Sequence, residues 1–151
     1  MYPLLLTLHS LLRWVVLAAG AAAFLKPFGA GGRPWTAADD KAGLWFVMAM
    51  DLQILLGLIL YAGVSPVTRA IFGDFGAAMG NSMLRFWAVE HLFGMLVAVA
   101  LVHVGRVKIR KAEGARRPRL AMIFYGLALL AILISIPWPG TPAGRPLFRG
   151  L

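Results

Sequence analysis

The sequence predicts an all-α integral membrane protein, an up-down four-helix bundle with a short interfacial helix in its second loop. Three observations predict it. The chain has 151 residues, 60% of them hydrophobic, and a mean hydropathy of +0.79, whereas soluble domains are usually about 45–50% apolar. The apolar residues fall into four blocks of roughly 18–22, each enough to cross about 30 Å of hydrocarbon in helical form. The basic residues gather beside those blocks, as the positive-inside rule requires of short loops. Segments of alternating hydrophobicity, the signature of a membrane barrel, are missing.

The first span is expected over residues 4–25, ending in the breaker-rich "KPFGAGGRPW". No Lys or Arg precedes it, so it reads as a retained span and not as a cleaved signal peptide. The stretch "AAGAAAF" within it carries small residues suited to close helix packing, and Gly94 and Ala98 make a second such pair. The second span covers residues 44–63, the third 86–105 and the fourth 120–137, and together they form one domain over residues 1–151. Loop two, "VSPVTRAIFGDFGAAMGNSM", is too polar to span. Ser65 before Pro66 reads there as an N-cap with proline in the first turn, hence a short interfacial helix. Trp87 and Trp138 are expected near one boundary and Trp45 near the other, as an aromatic belt. The tail "PWPGTPAGRPLFRGL" is expected to lie irregularly on the outer surface.

Charge sets the expected orientation. Net charge is +9, and seven of the fifteen Lys and Arg lie between positions 106 and 119. Loops one and three share a side and carry ten basic residues, against Arg69, Arg85, Arg145 and Arg149 on the other. Both termini are therefore expected outside a bacterial inner membrane, with the basic loops in the cytoplasm. That arrangement accounts for the basicity without a nucleic-acid partner. Cysteine is absent, which excludes disulfides, thiolate metal sites and iron–sulfur clusters. The six acids, Asp39, Asp40, Asp51, Asp74, Glu90 and Glu113, are too scattered for a calcium cage, and no phosphate loop or hydrolase pattern occurs.

Polar residues inside the spans carry the functional question, because a charge in hydrocarbon costs at least about 2.5–3.5 kcal/mol. His9 and His91 lie on spans one and three, which run the same way, each roughly 8 Å inside the outer edge. In an up-down bundle those spans are diagonal and face a common core. Two imidazoles at one depth suit the axial positions of one b-type haem. Ordinary interhelical hydrogen bonds are the competing explanation of the same pair. Arg13, four residues after His9, shares its helix face and points back outward, toward where haem propionates would lie, with Arg85 a second cation at the rim. An Arg13–Glu90 ion pair would satisfy both charges without a cofactor.

His103 follows His91 by twelve residues, about 18 Å along the axis and about 120° around it, so it fails as a second ligand on the same face. Contact with Asp51 is expected instead, in a structural or proton-handling role. Met48 is a weak candidate for a Met/His ligand set, and Gln53 is expected to hydrogen-bond a neighbouring helix.

Four stretches, "LHSLLRW", "DLQILLGLILY", "LRFWAVEH" and "IFYGLALLAILISIPWP", resemble the small four-helix membrane proteins of Bacteroidota-type bacteria commonly labelled cytochrome b. The resemblance covers nearly the whole chain. It implies a b-haem membrane subunit with His9, Arg13 and His91 at matching positions. One departure is that Asp51 stands where that family often has histidine, two residues before Gln53, so a ligand there would be missing. Two functions follow as expectations. One is a small b-type cytochrome, or the cytochrome-like subunit of an electron-transfer complex, with quinone or another haem as electron partner. The other is a cofactor-free accessory subunit packed against a larger respiratory or photosynthetic assembly. A third is quinone or proton handling through Glu90, Asp51 and His103.

Overall fold

A computed structural model describes residues 1–28 and 33–148. Helix α1 (Tyr2–Phe28) tolerates Pro3 in its first turn, where no intrahelical donor is needed, and ends beside Pro27. Helix α2 (Ala37–Ile59) starts at the N-cap Thr36. The Asp39 carboxylate in its first turn accepts from the Thr36 N–H at 2.8 Å and takes Arg33 in a bidentate pair at 2.7 and 2.8 Å. A negative group there also complements the helix dipole. At its far end α2 runs on through a π-helical turn, Leu60–Val64, and kinks at Gly63.

The short helix expected in loop two is present as α3 (Pro66–Gly73), and the Ser65 hydroxyl accepts from the Val67 N–H at 3.2 Å. Two further short helices follow it, α4 (Phe75–Gly80) and α5 (Ser82–Arg85), capped by Asp74 and Asn81. A π-helical turn, Phe86–Glu90, then joins α5 to α6 (His91–Lys111), and α7 (Arg116–Ser135) completes the bundle. No strand occurs among the described residues.

Four helices are long and apolar enough to cross a bilayer: 2–27, 37–64, 82–111 and 116–135. Their outward surfaces are apolar, with Trp45, Phe93, Leu130 and Ile134 all exposed. This is the build of a multi-pass membrane protein. The helices outrun the expected spans everywhere except at the end of α7, where Pro137 stops the chain two residues early.

Helix α1 packs on α2 and α7, and α6 packs on the same two, so α1 and α6 are diagonal across the bundle. The core between them holds Val16, Phe46, Met50, Val102, Tyr125 and Ile132. Small residues set the spacing, as "AAGAAAF" and Gly94 suggest. A Cβ on Gly20 would meet Leu129 Cδ2 at 2.7 Å, and one on Gly94 would collide with the Ser135 hydroxyl.

The tail is irregular and exposed over Pro146, Leu147 and Phe148, and it folds back along α1, where the Leu147 carbonyl accepts from Arg13 Nη2 at 2.6 Å and Trp14 Nε1 at 3.3 Å. Phe148 stacks on Trp14 with ring centres 5.3 Å apart. Irregular backbone beside a membrane-crossing helix is tolerated when protein donors satisfy it, and Arg13 and Trp14 supply them for Leu147. Arg149, one of the four basic residues assigned to the outer side, lies outside the described residues, as do positions 29–32 of the first loop.

Candidate functional site

The site begins with two prolines. A helical carbonyl normally receives the N–H four residues on, but for Leu133 and Ser135 those residues are Pro137 and Pro139, which have none. Side chains answer instead. Trp138 Nε1 donates to the Leu133 carbonyl at 2.8 Å, and His91 Nδ1 donates to the Ser135 carbonyl at 2.7 Å. Because a carbonyl can only accept, the proton of neutral His91 sits on Nδ1 and Nε2 keeps its lone pair. Histidines that bind metals are oriented in this way.

The His91 ring is boxed by Trp87, with centres 5.4 Å apart, and by Phe86 at 5.8 Å. The two tryptophans expected near the outer boundary also make specific contacts. Trp87 lines the site, Trp138 caps α7, and only Trp45 remains largely exposed.

Across the bundle, the His9 and His91 ring centres are 6.3 Å apart and the planes cross at 73°. Gly57 of α2 makes room for His9, since a Cβ there would come within 3.2 Å of His9 Cε1. Gln53, also on α2, donates Nε2–H to the His9 carbonyl at 3.0 Å and lies 3.4 Å from His9 Nε2. His9 Nδ1 and Arg13 Nε are buried without a hydrogen-bond partner among the described residues.

These groups line a cavity of about 130 Å³ between the helices. Its charged lining residues are Arg13 and Arg145, and no carboxylate faces it. Arg145 comes from the tail, and its guanidinium lies 5.3 Å from the centre of the Trp87 ring. An apolar chamber with two imidazoles and two uncompensated cations favours an anionic, largely apolar occupant.

The other expected site residues lie elsewhere. Arg85 is not at the cavity; its Nε donates to Glu90 Oε1 at 2.9 Å on the exposed surface. This pairing removes the Arg13–Glu90 bond, because Glu90 already has a cation five residues away on its own chain segment. Asp51 and His103 do meet, at 2.7 Å, but on the outside of the bundle. Met48 is 51% exposed and is no part of the cavity lining.

Among the described residues no group of three or more His, Cys, Asp or Glu could hold a metal ion unaided. A porphyrin supplies its own equatorial nitrogens and needs only axial ligands from the protein. Two imidazoles bound end-on to one metal have centres about 6 Å apart, taking about 2 Å per metal–nitrogen bond. The His9–His91 spacing fits that requirement. The surroundings fit in part. His9 Nε2 is engaged by Gln53, and 130 Å³ is nearer the size of a benzene-binding cavity, about 150 Å³, than of a porphyrin.

Fold and site together define a helical multi-pass membrane protein with an internal two-histidine cavity of positive lining. No protein-family model, curated protein or solved structure matches the chain. Sequence reasoning missed Ser135, Trp87, Arg145 and Leu147. The Pro137–Pro139 spacing was the available signal for Ser135, since it strips two helical carbonyls of their donors.

Proposed function

We propose that this protein is a small b-type cytochrome, or the cytochrome-like subunit of an electron-transfer complex, with one haem b between α1 and α6. The observation that carries the proposal is the His9–His91 pair, 6.3 Å apart on diagonal helices, with His91 held by the Ser135 carbonyl. Bound haem would supply one-electron redox chemistry at its iron. His91 would present Nε2, and His9 would exchange the Gln53 contact for the iron. Arg13 and Arg145 would face the propionates, Arg145 taking the part expected of Arg85. A membrane quinone or another subunit is the proposed electron partner. The proposed setting is a bacterial inner membrane with both termini outside and the basic loops in the cytoplasm.

One observation favours a second function, the cofactor-free accessory subunit of a larger respiratory or photosynthetic complex. Both histidines already have protein partners, Gln53 and Ser135, so the bundle is internally satisfied at those atoms. A reduced-minus-oxidised visible spectrum of the purified chain after haem-replete expression, with pyridine haemochrome quantitation, separates the two. One b-type haem per chain is expected. A featureless spectrum overturns the cytochrome reading in favour of the accessory subunit.

A further inference from the structure

A second polar cluster lies outside the cavity. Asp51 sits at the middle of the second membrane-crossing segment, roughly 20 Å by helical rise from either end of residues 37–64. His103 Nε2 donates to Asp51 Oδ1 at 2.7 Å and ties α6 to α2. Yet the side chains are 49% and 48% exposed, so the pair looks outward, Asp51 from mid-helix and His103 from just inside the expected end of the third span. Ionisable groups on membrane-crossing helices normally face a bundle interior or a water-filled cavity. A further polar surface would complete their partners.

The surrounding face has the pattern of a helix-packing seam. On α2, Leu44, Met48, Leu55 and Leu58 are exposed and keep a four-three spacing through Asp51. On α6, Leu96, Ala100 and Val107 do the same through His103. Each ridge is apolar except for its central member.

The polar atoms themselves indicate the occupant. Asp51 Oδ2 and His103 Nδ1 have no hydrogen-bond partner among the described residues. The pair leaves one ring nitrogen and one carboxylate oxygen free in each copy, and where the ring is an imidazolium the free nitrogen is a donor and the free oxygen an acceptor. A surface with equal spare donors and acceptors side by side is self-complementary, which is what a twofold interface requires. We propose that this α2–α6 face is the interface of a homodimer, in which His103 Nδ1–H of each copy donates to Asp51 Oδ2 of the other. The two pairs form a four-membered polar cluster on the twofold axis, flanked by the apolar ridges. The interface is independent of any haem in the cavity.

The absence of cysteine makes the test free of background. Ala100→Cys and Leu55→Cys place a thiol on the seam, and Ile134→Cys places one on α7, where the side chain is 71% exposed. In membrane vesicles under mild oxidation, both seam variants are expected to give disulfide-linked dimers and Ile134→Cys is not. The cysteine-free chain in nanodiscs should show the mass of two copies. Asp51→Ala, which leaves no acceptor, should weaken dimerisation roughly tenfold, as loss of two interhelical hydrogen bonds does. The cross-linking arm keeps the proposal testable if that variant fails to fold. A monomeric mass without seam cross-links overturns the proposal and leaves the face to a different subunit. Equal cross-linking at Ile134 overturns it as random collision.

Discussion

The orientation of one side chain, His91, decides what the cavity can hold. Its Nδ1 is committed to the Ser135 carbonyl, which makes Nε2 the nitrogen available for a ligand. His9 lies 6.3 Å away on the diagonal helix, whereas His103 sits about 18 Å further along α6 and outside the bundle. In haem-loaded protein, His9→Ala or His91→Ala should abolish low-spin bis-histidine absorption or leave a five-coordinate, high-spin signal. His103→Ala should leave the spectrum nearly unchanged. Loss of the signal in His103→Ala with its retention in His9→Ala would put the cofactor elsewhere. The shared depth of the two histidines was legible from position counting alone, because helical rise is constant. The partner of Arg13 was not. The acid expected to pair with it is Glu90, but the bond runs to the Leu147 carbonyl, 134 residues away. Arg13→Ala should destabilise the fold by about 1.5–3 kcal/mol, the range for a hydrogen bond from a charged group. The lower end is expected because Trp14 still donates to the same carbonyl. Thermal unfolding measures the total, and faster proteolysis of the tail would assign it to that contact.

Among the elements, α6 and α7 meet most intimately, and a glycine allows it. Gly94 faces Ser135, whose hydroxyl caps back to the Ala131 carbonyl at 2.8 Å while its own carbonyl holds His91. Gly94→Ala puts a methyl into that space, and overpacking of a tight core contact costs about 1–3 kcal/mol. The expected outcome is a lower unfolding midpoint together with a shifted His91 environment, seen as altered ring-proton resonances. An unchanged midpoint would mean that α7 can slide away without strain. Helix existence and the Ser65–Pro66 start of α3 were legible because they depend on neighbours in sequence. The end of α7 was placed two residues late, although Pro137 and Pro139 mark it. The descent of the tail along α1 was not legible, since it depends on donors from the opposite end of the chain. The arrival of Arg145 at the cavity has the same cause.

For the molecule as a whole, the distribution of charge predicts which way it lies in a bilayer. Loops one and three carry ten basic residues, against Arg69, Arg85 and Arg145 toward the other end of the bundle among the described residues. Two of the ten, Arg33 and Arg106, are paired with Asp39 and Asp40. Pairing weakens their effective charge, but orientation follows the Lys and Arg near the span ends and acids contribute little. The remaining unpaired cations still favour the same side, with Lys108, Arg110 and Lys111 closing α6 where they also complement its dipole. Single-cysteine variants report the result directly. Gly73 is exposed, and a Cβ there meets nothing within 4 Å, so Gly73→Cys reports the histidine end without disturbing α3. Lys111→Cys reports the basic end. In intact cells, a membrane-impermeant maleimide should label Gly73→Cys and spare Lys111→Cys until the membrane is opened. The reverse pattern would invert the protein. The two-histidine cavity would then lie in the leaflet nearer the cytoplasm, and its proposed electron partner would have to reach it from that side.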